Sequence, residues 1–258
     1  MPKFAANLST LFTERDFLDR FQAAADAGFR GVELQFPYDF EIDAIGENLT
    51  ASGLELVLFN LPPGNWEAGD RGLGALPGRE KDLDHSLDRA LDYARALNCR
   101  QLHVMAGIKP KNLDNAAYLS AFGANLRRIA PKAKAAGVTL MLEPINSRDL
   151  PGYVLSRTED AFSLIEAIGF DNIRLQLDLY HRQVMQGDLI RTIERAAPVL
   201  GHVQIAGVPD RQEPDRGEIA YDALFEALER IGYDGWIGCE YHPAGRTEDG
   251  LGWLAPHL

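Results

Sequence analysis

The chain has 258 residues and an acidic composition, with 38 Asp and Glu against 26 Lys and Arg and a formal net charge of −12. This charge repels a nucleic-acid backbone and an anionic lipid surface, so we expect neither as a partner. Hydrophobic residues at 46% and charged residues at 25% are typical of a globular protein and exclude a disordered or fibrous class. The sequence contains no leader-like segment and no run of about 18 apolar residues, so we expect a cytoplasmic protein without membrane spans.

Eight short apolar runs, rich in β-branched residues, alternate along the chain with longer amphipathic segments. Such alternation is typical of repeated βα units, and the runs begin roughly thirty residues apart, as a barrel requires. The predicted strands are Lys3–Asn7, Gly31–Phe36, Leu54–Asn60, Gln101–Met105, Val138–Glu143, Ile173–Asp178, His202–Ile205 and Trp236–Glu240. We therefore predict an α/β protein with a single (β/α)8 TIM barrel, one catalytic domain over residues 1–258. The alternative, a doubly wound open sheet, would carry a glycine-rich turn after its first strand, and Asn7–Thr13 contain no glycine.

Segments with apolar residues at helical spacing separate the predicted strands. They are Glu14–Ala27, Glu80–Leu97, Ala116–Ala136, Glu159–Ile168 and Tyr221–Ile231. The glycines that follow segments of this kind are Gly28, Gly53, Gly137, Gly169 and Gly232. Because glycine tolerates a positive φ, each of these positions predicts a helix terminus directly before the next strand.

A long segment rich in proline and glycine, Pro62–Gly78, follows the third predicted strand. Long loops in compact domains are disproportionately functional, so one interpretation is a lid over the active site. The other interpretation is a passive surface loop. The sequence alone leaves both open.

Polar side chains interrupt or end four consecutive apolar strands near their carboxyl ends, where barrel enzymes have their active sites. They are Glu143, Asp178, Gln204 and Glu240. A single carboxylate at a strand end often only caps the following helix. Four such groups at one level would crowd like charges, which costs stability unless a cation neutralises them. Their donors are all oxygens, and this predicts a hard divalent metal, Mg2+ or Mn2+, rather than zinc.

Two further residues are candidates for substrate binding. His181 lies three residues after Asp178, where it can face the metal as a substrate contact or proton relay, although a lone histidine is often structural. Arg211 lies in a polar loop after Gln204 and can hold a substrate carboxylate in bidentate fashion, or it is a solvated loop cation. Lys109 and Lys111 are weaker candidates for the same role.

The remaining potential ligands fall within or beside apolar runs. His103 and His202 are predicted to pack inside strands as core or supporting groups. Cys99 and Cys239 are the only cysteines, so we expect two packed thiols and neither a disulfide framework nor a thiolate metal site.

Motifs distributed over most of the chain resemble the hydroxypyruvate isomerase family within the xylose isomerase-like barrels. They are Phe4–Ser9, Gly31–Glu33, Phe36–Asp39, Phe59–Trp66, Gly69–Gly72, Leu76–Glu80, Glu143–Asn146, Asp178–His181, Gln204–Ala206 and Gly238–Tyr241. The resemblance implies that Glu143, Asp178, Gln204 and Glu240 bind the metal and that Glu143 and Glu240 are also the acid/base residues. Related sugar epimerases usually have a histidine where Gln204 stands, so the chain looks more like the hydroxypyruvate isomerase branch.

The resemblance also implies an activity, the interconversion of hydroxypyruvate and tartronate semialdehyde through an enediolate. The expected partner is a small hydroxy-carbonyl acid, and a homo-oligomer is left open. Three alternatives remain: a 2-oxo-tetronate isomerase or keto-sugar 3-epimerase with the same site, a metal-dependent nuclease for abasic DNA, and a non-catalytic sugar-acid binding module.

Overall fold

Eight parallel strands form a closed barrel in the computed structural model, which describes residues 2–110 and 114–257. Each strand pairs with the next one along the chain, and the last pairs with the first. The strands are Lys3–Asn7 (β1), Gly31–Leu34 (β2), Glu55–Asn60 (β3), Gln101–His103 (β4), Thr139–Leu142 (β5), Ile173–Asp178 (β6), Leu200–Ile205 (β7) and Trp236–Cys239 (β8). The predicted TIM barrel is therefore confirmed, with strand ends that differ by a few residues from the prediction.

Helices follow the strands and pack around the outside of the barrel. They are Asp19–Asp26 (α1), Ile42–Ser52 (α2), Glu80–Ala96 (α3), Asn115–Ala135 (α4), Thr158–Ile168 (α5), Leu179–Met185 (α6), Leu189–Ala196 (α7) and Tyr221–Arg230 (α8). Short 3-10 helices lie at Pro37–Asp39, Thr247–Trp253 and Ala255–His257. Within the two described ranges, no helix has the length and apolar character needed to cross a membrane.

All the predicted helices are present. The structure contains further helices, and the first helix begins later than predicted. The helices α6 and α7 were not predicted, and α2 was predicted only through its terminal residue Gly53. Helix α6 begins directly at the end of β6 without an intervening loop. The first helix starts at Asp19 instead of Glu14. The carboxylate of Glu14 accepts hydrogen bonds from the backbone and hydroxyl of Thr247, which holds residues 14–18 in turns.

The five glycines predicted to end helices all have a left-handed backbone conformation. Gly53 and Gly169 are the C-cap residues of α2 and α5, with φ of 66° and 71°. Gly28, Gly137 and Gly232 have φ between 72° and 96°. The inference from glycine to helix terminus is therefore confirmed, because residues with a Cβ rarely adopt this conformation.

The cysteines Cys99 and Cys239 are both free and buried, as predicted. Burial raises the pKa of each thiol; that of Cys99 rises to about 12. Both side chains are therefore protonated packing groups at neutral pH.

The buried carboxyl group of Glu33 limits the size of the residue at position 238. Glu33 in β2 is fully buried, and a Cβ at Gly238 in β8 would overlap its carboxylate. We therefore expect Gly238→Ala to lower the free energy of unfolding by about 1–3 kcal/mol, the usual cost of overpacking a core. Urea denaturation measures this change.

Gly245→Ala is the matched control, because a Cβ there would meet no atom within 4 Å and the backbone φ is ordinary. It should change the free energy of unfolding by less than about 0.5 kcal/mol. Equal stabilities of the two variants would contradict the tight fit between Gly238 and Glu33.

Candidate active site

The four polar residues predicted at strand ends lie together at the carboxyl end of the barrel. Asp178 is the last residue of β6, Gln204 lies within β7, and Glu143 and Glu240 directly follow β5 and β8. All four side chains are buried. Glu143 and Glu240 line a cavity of about 170 Å3, together with His181 and Arg211.

Glu143, Asp178 and His181 form a tight group whose candidate ligand atoms lie within 4.8 Å of one another. His181 Nε2 is 3.7 Å from Glu143 Oε1 and 3.6 Å from Asp178 Oδ2. Among the described residues, these two carboxylate oxygens are buried without a hydrogen-bond partner. A buried acceptor without a partner is costly, and two such oxygens beside each other fit the donor set of a divalent cation. This group can therefore hold a metal ion.

Arg211 connects Glu240 to this group. Its Nη2 donates a hydrogen bond of 2.8 Å to Glu240 Oε2 and lies 3.6 Å from Asp178 Oδ2. It is also 3.4 Å from His181 Nε2. Arg211 has a φ of 55°, a left-handed backbone conformation that residues with a Cβ rarely adopt. Strain of this kind is found where a side chain is held at a functional position.

The second oxygen of Glu240 has two amide donors. Gln35 Nε2 donates to Glu240 Oε1 at 2.8 Å, and Asn7 Nδ2 donates to the same oxygen at 3.2 Å. Together with Arg211, these contacts fix both carboxylate oxygens of Glu240. Its orientation toward the cavity is thus set by residues from the first two strand regions and the loop after β7.

Burial and mutual repulsion shift the ionisation of the carboxyl groups. Burial raises the pKa of Glu143, and the charges of Glu240 and Asp178 raise it further. Burial also raises the pKa of Asp178 and of Glu240, while Arg211 opposes both shifts. Burial alone would lower the pKa of Arg211, but the surrounding carboxylates outweigh it and raise that pKa. The site therefore carries excess negative charge that a cation would stabilise.

A network fixes the tautomer of His181. Asn146 Oδ1 accepts from the backbone N–H of Asp149, so its Nδ2 faces Asp149 Oδ2 and His181 Nδ1, at 3.0 and 2.7 Å. Nδ1 is therefore an acceptor, and the proton of the neutral ring is on Nε2, so the 3.4 Å approach of Arg211 Nη2 to Nε2 is a contact between two donors and not a hydrogen bond. Burial lowers the pKa of His181 well below its usual value, and Arg211 lowers it further. His181 thus presents an N–H to the cavity, which suits a hydrogen bond to a substrate oxygen.

Both atoms of the Gln204 amide have partners inside the barrel. Gln204 Nε2 donates to Glu33 Oε2 at 3.0 Å, and Gln204 Oε1 accepts from Gln176 Nε2 at 2.7 Å. Asp178 and Gln204 are direct partners in the β6–β7 register, so their side chains leave the sheet on the same face. Gln204 therefore lies beside Asp178 in the sheet, and Glu33 and Gln176 hold its amide in the barrel interior.

His103 supports Glu143. His103 Nδ1 lies 3.3 Å from Glu143 Oε2 and 3.2 Å from Asn60 Oδ1. Burial lowers the pKa of His103 to about 3, so the ring is neutral at physiological pH. The expectation of a buried supporting histidine is confirmed for His103, and also for His202, which contacts Glu33.

Several residues that contact the site were not recognised as site residues in the sequence. They are Asn7, Glu33, Gln35, Asn60, Asn146 and Asp149. Asn7 and Asn60 offered a signal, because each ends a predicted strand, as Glu143 and Asp178 do. Glu33 and Gln35 lie inside a predicted strand and did not meet this criterion. Asn146 and Asp149 lie in a loop, where polar residues are common without any function.

The long loop after β3 borders the cavity. Trp66, in the loop, is 46% exposed and lines the cavity with its ring 5.4 Å from that of Phe36. Arg71 stacks on the same tryptophan, with its guanidinium carbon 3.7 Å from the centroid of the Trp66 ring. Further along, Gly74 and Ala75 bond to the backbone of Met105 and Ala106, which fixes that half of the loop. Closure of this loop over a substrate stays a prediction.

Lys111, one of the weaker candidates for binding a substrate carboxylate, lies outside the described residues.

Comparisons with known proteins agree with this architecture. A family model described as xylose isomerase-like TIM barrel matches residues 21–257. A 2-oxo-tetronate isomerase from Cupriavidus necator is 49% identical over 100% of this chain and 99% of its own. The hydroxypyruvate isomerase of Escherichia coli is 44% identical over 100% of both chains. The crystal structure of an AP endonuclease, family 2, from Brucella melitensis has 51% identity and a TM-score of 0.97, covering 100% of this chain and 99% of that one.

A closed parallel barrel with buried ionisable groups at the carboxyl ends of its strands defines an enzyme of the TIM-barrel type. The relatives that match it over their whole length are named isomerases, and the chain is an enzyme of that class. It belongs to the xylose isomerase-like TIM barrel family. The resemblance seen in its sequence motifs is thereby confirmed.

Proposed function

We propose that the chain is a metal-dependent isomerase that interconverts hydroxypyruvate and tartronate semialdehyde. The observation that carries the proposal is that two buried carboxyl groups, Glu143 and Glu240, line one small cavity, with the carboxyl group of Asp178 beside Glu143. Glu143 and Asp178 lie side by side, and Glu240 reaches them through Arg211. Moving a carbonyl to the adjacent carbon requires a base and an acid on one substrate, and two of these carboxyl groups can provide both. The hydroxypyruvate isomerase that is 44% identical supports this substrate.

The metal in this proposal is Mg2+ or Mn2+, held by Glu143, Asp178, Gln204 and Glu240. The unpartnered oxygens of Glu143 and Asp178 support these two residues as ligands. Gln204 and Glu240 enter the set through the resemblance of the sequence motifs. When bound, the cation supplies electrostatic stabilisation for negative charge on the substrate oxygens. His181 is less suited as a ligand, because its Nε2 carries the proton in the observed network.

Glu143 and Glu240 are the proposed acid and base. Starting from hydroxypyruvate, one carboxylate takes a proton from the hydroxymethyl carbon. The electrons of that C–H bond form the double bond of an enediolate, whose charge rests on the former carbonyl oxygen. The other carboxyl group returns a proton to the neighbouring carbon. The hydroxyl proton of the first carbon passes to the former carbonyl oxygen, so that the first carbon becomes an aldehyde and its neighbour carries a hydroxyl. The substrate loses two protons and regains two, and the two carboxyl groups exchange protonation states, which proton exchange with solvent restores before the next turnover.

His181 and Arg211 are the proposed substrate-binding residues. Arg211 is permanently charged and presents several N–H donors in a plane, the arrangement that best fits a carboxylate. It already contacts Glu240, so a bound substrate carboxylate would lie next to the reacting groups. The Nε2–H of His181 can donate to a substrate oxygen and so orient the carbon that loses its proton.

The substrate is tested by a panel assayed by NMR with the purified protein and added Mg2+ or Mn2+. We expect turnover of hydroxypyruvate, with kcat/KM for keto-hexoses lower by about 10²-fold or more, because the cavity is small. The 2-oxo-tetronates are the second candidate, since a relative with that name is 49% identical. Turnover of the oxo-tetronates with hydroxypyruvate untouched would overturn the named reaction and keep the reaction type.

The solved structure described as an AP endonuclease makes cleavage of abasic DNA the contrasting function. The net charge of −12 opposes it, because a duplex binds through cations that neutralise its phosphates. A gel-shift assay with an abasic duplex, with and without Mg2+, separates the two functions. We expect no shift beyond that of an undamaged duplex, and tight metal-dependent binding would favour the nuclease.

A further inference from the structure

Glu33 is a buried carboxyl group that the proposed reaction does not use directly. It lies in β2, points into the barrel and is fully buried. Three side chains contact its carboxyl group: Gln204 Nε2 and Asn7 Nδ2 donate to Oε2 at 3.0 and 3.3 Å, and His202 Nε2 lies within hydrogen-bond distance of Oε1. Burying an acidic group is expensive unless its acceptors are satisfied, so this arrangement is specific and not accidental packing.

Both amide donors belong to residues at the candidate active site. Gln204 is a proposed metal ligand, and Asn7 uses the same Nδ2 to bond Glu240 Oε1. Glu33 thus holds both residues from the barrel interior and is not itself one of the residues that line the cavity.

The chemistry of the pair Glu33–Gln204 decides which amide atom faces which way. A carboxylate without a proton only accepts hydrogen bonds, so the NH2 group of Gln204 must face Glu33, and its oxygen must face elsewhere. That oxygen accepts one hydrogen bond from Gln176. An amide oxygen has two lone pairs, so one remains for a cation next to Asp178, the neighbour of Gln204 in the sheet.

We propose that Glu33 is a positioning residue that fixes the Gln204 amide with its oxygen, and not its NH2 group, available to the metal. The inference rests on the proposed function, because it requires a cation at the acidic group. It adds a residue outside the ligand set whose only role toward the metal is to select the orientation of one ligand. Loss of such a supporting contact typically weakens metal binding about 10–100-fold.

Glu33→Met tests the proposal by isothermal titration with Mn2+ in the absence of substrate. Methionine fills a similar volume but offers no oxygen to the NH2 groups of Gln204 and Asn7, so the Gln204 amide is no longer held in one orientation. We expect the Kd for Mn2+ to rise at least tenfold. Glu55→Met, at an exposed glutamate in β3, is the matched control and should leave the Kd unchanged.

Glu33→Gln is the conservative variant, because its oxygen can still accept from Gln204 and Asn7. Its NH2 group then faces His202 Nε2, which accepts when the ring proton is on Nδ1. We expect a Kd close to that of the wild type, so that affinity follows the acceptor at position 33 and not its charge. Should Glu33→Met not fold, Glu33→Gln decides alone, and a Kd raised tenfold or more contradicts the proposal.

The outcomes separate this inference from the proposed function. If the wild type binds Mn2+ and Glu33→Met binds it equally well, Glu33 is a packing residue and the inference is wrong. Weak binding by both Glu33→Met and Glu33→Gln also overturns it. If the wild type itself does not bind Mn2+ or Mg2+, the proposed function and the inference fail together.

Discussion

Glu143→Gln and Glu240→Gln are each expected to lower kcat by about 10³-fold, with smaller changes in KM. Each substitution keeps the shape of the side chain and removes its ability to accept and return a proton, a contribution of about 10²–10⁴-fold for general acid/base catalysis. Both residues are buried next to the cavity, so bulk water cannot easily replace them. Steady-state kinetics with hydroxypyruvate measures the loss.

Glu166→Gln in α5 is a control for this comparison, since the residue is exposed and far from the strand ends in sequence. It should retain the wild-type kcat. Near-wild-type activity in both Glu143→Gln and Glu240→Gln would defeat the two-glutamate mechanism. If the wild type shows no catalysis and both variants bind the ligand as tightly as the wild type does, a binding module is favoured instead.

Removal of divalent metal is expected to reduce activity by at least about 10²-fold, and added Mg2+ or Mn2+ should restore it. The physical reason is the crowding of Glu143, Asp178 and Glu240, whose negative charge is only partly compensated by Arg211. Without a cation, negative charge developing on the substrate has no added stabilisation. The assay uses protein treated with a chelator, dialysed and then resupplied with metal.

The same preparation gives a second measurement, the midpoint of thermal unfolding. A ligand that binds only the native state stabilises it by RT ln(1 + [L]/Kd), so saturating Mn2+ should raise the midpoint. Asp178→Asn should abolish most of this rise, because it replaces one of the two unpartnered oxygens with an NH2 group or leaves a weaker ligand. Full activity of a preparation shown to be free of metal would contradict the requirement.

The barrel could be predicted because its signals are local and repeated. Apolar runs at regular intervals identified all eight strands, and five glycines marked helix ends through their backbone freedom. The short helices α6 and α7 were missed for a physical reason. Asp178 ends β6 and caps α6 in the same position, accepting from the backbone N–H groups of Tyr180 and His181, so no loop separates the two elements.

The acidic part of the candidate site could also be predicted, because polar residues at the ends of apolar strands are unusual. Its supporting contacts could not, since they depend on contacts between distant segments. Asn146 sets the tautomer of His181 from 35 positions away, and Glu33 meets Gln204 across 171 positions. Glu33 lay inside a predicted strand, and attention to strand ends alone passed over it. In a barrel, side chains that point inward from different strands meet in the interior, so a residue within a strand can hold one that belongs to the site.

Closure of the sheet also limits how copies of this chain could associate. Each of the eight strands has a hydrogen-bonded neighbour on both sides, so the barrel offers no edge to which another strand could be added. A homo-oligomer would therefore have to form through outer helices or loops, where side chains and not backbone hydrogen bonds determine the contact. Growth by strand addition, the route open to flat sheets, is closed to the barrel itself.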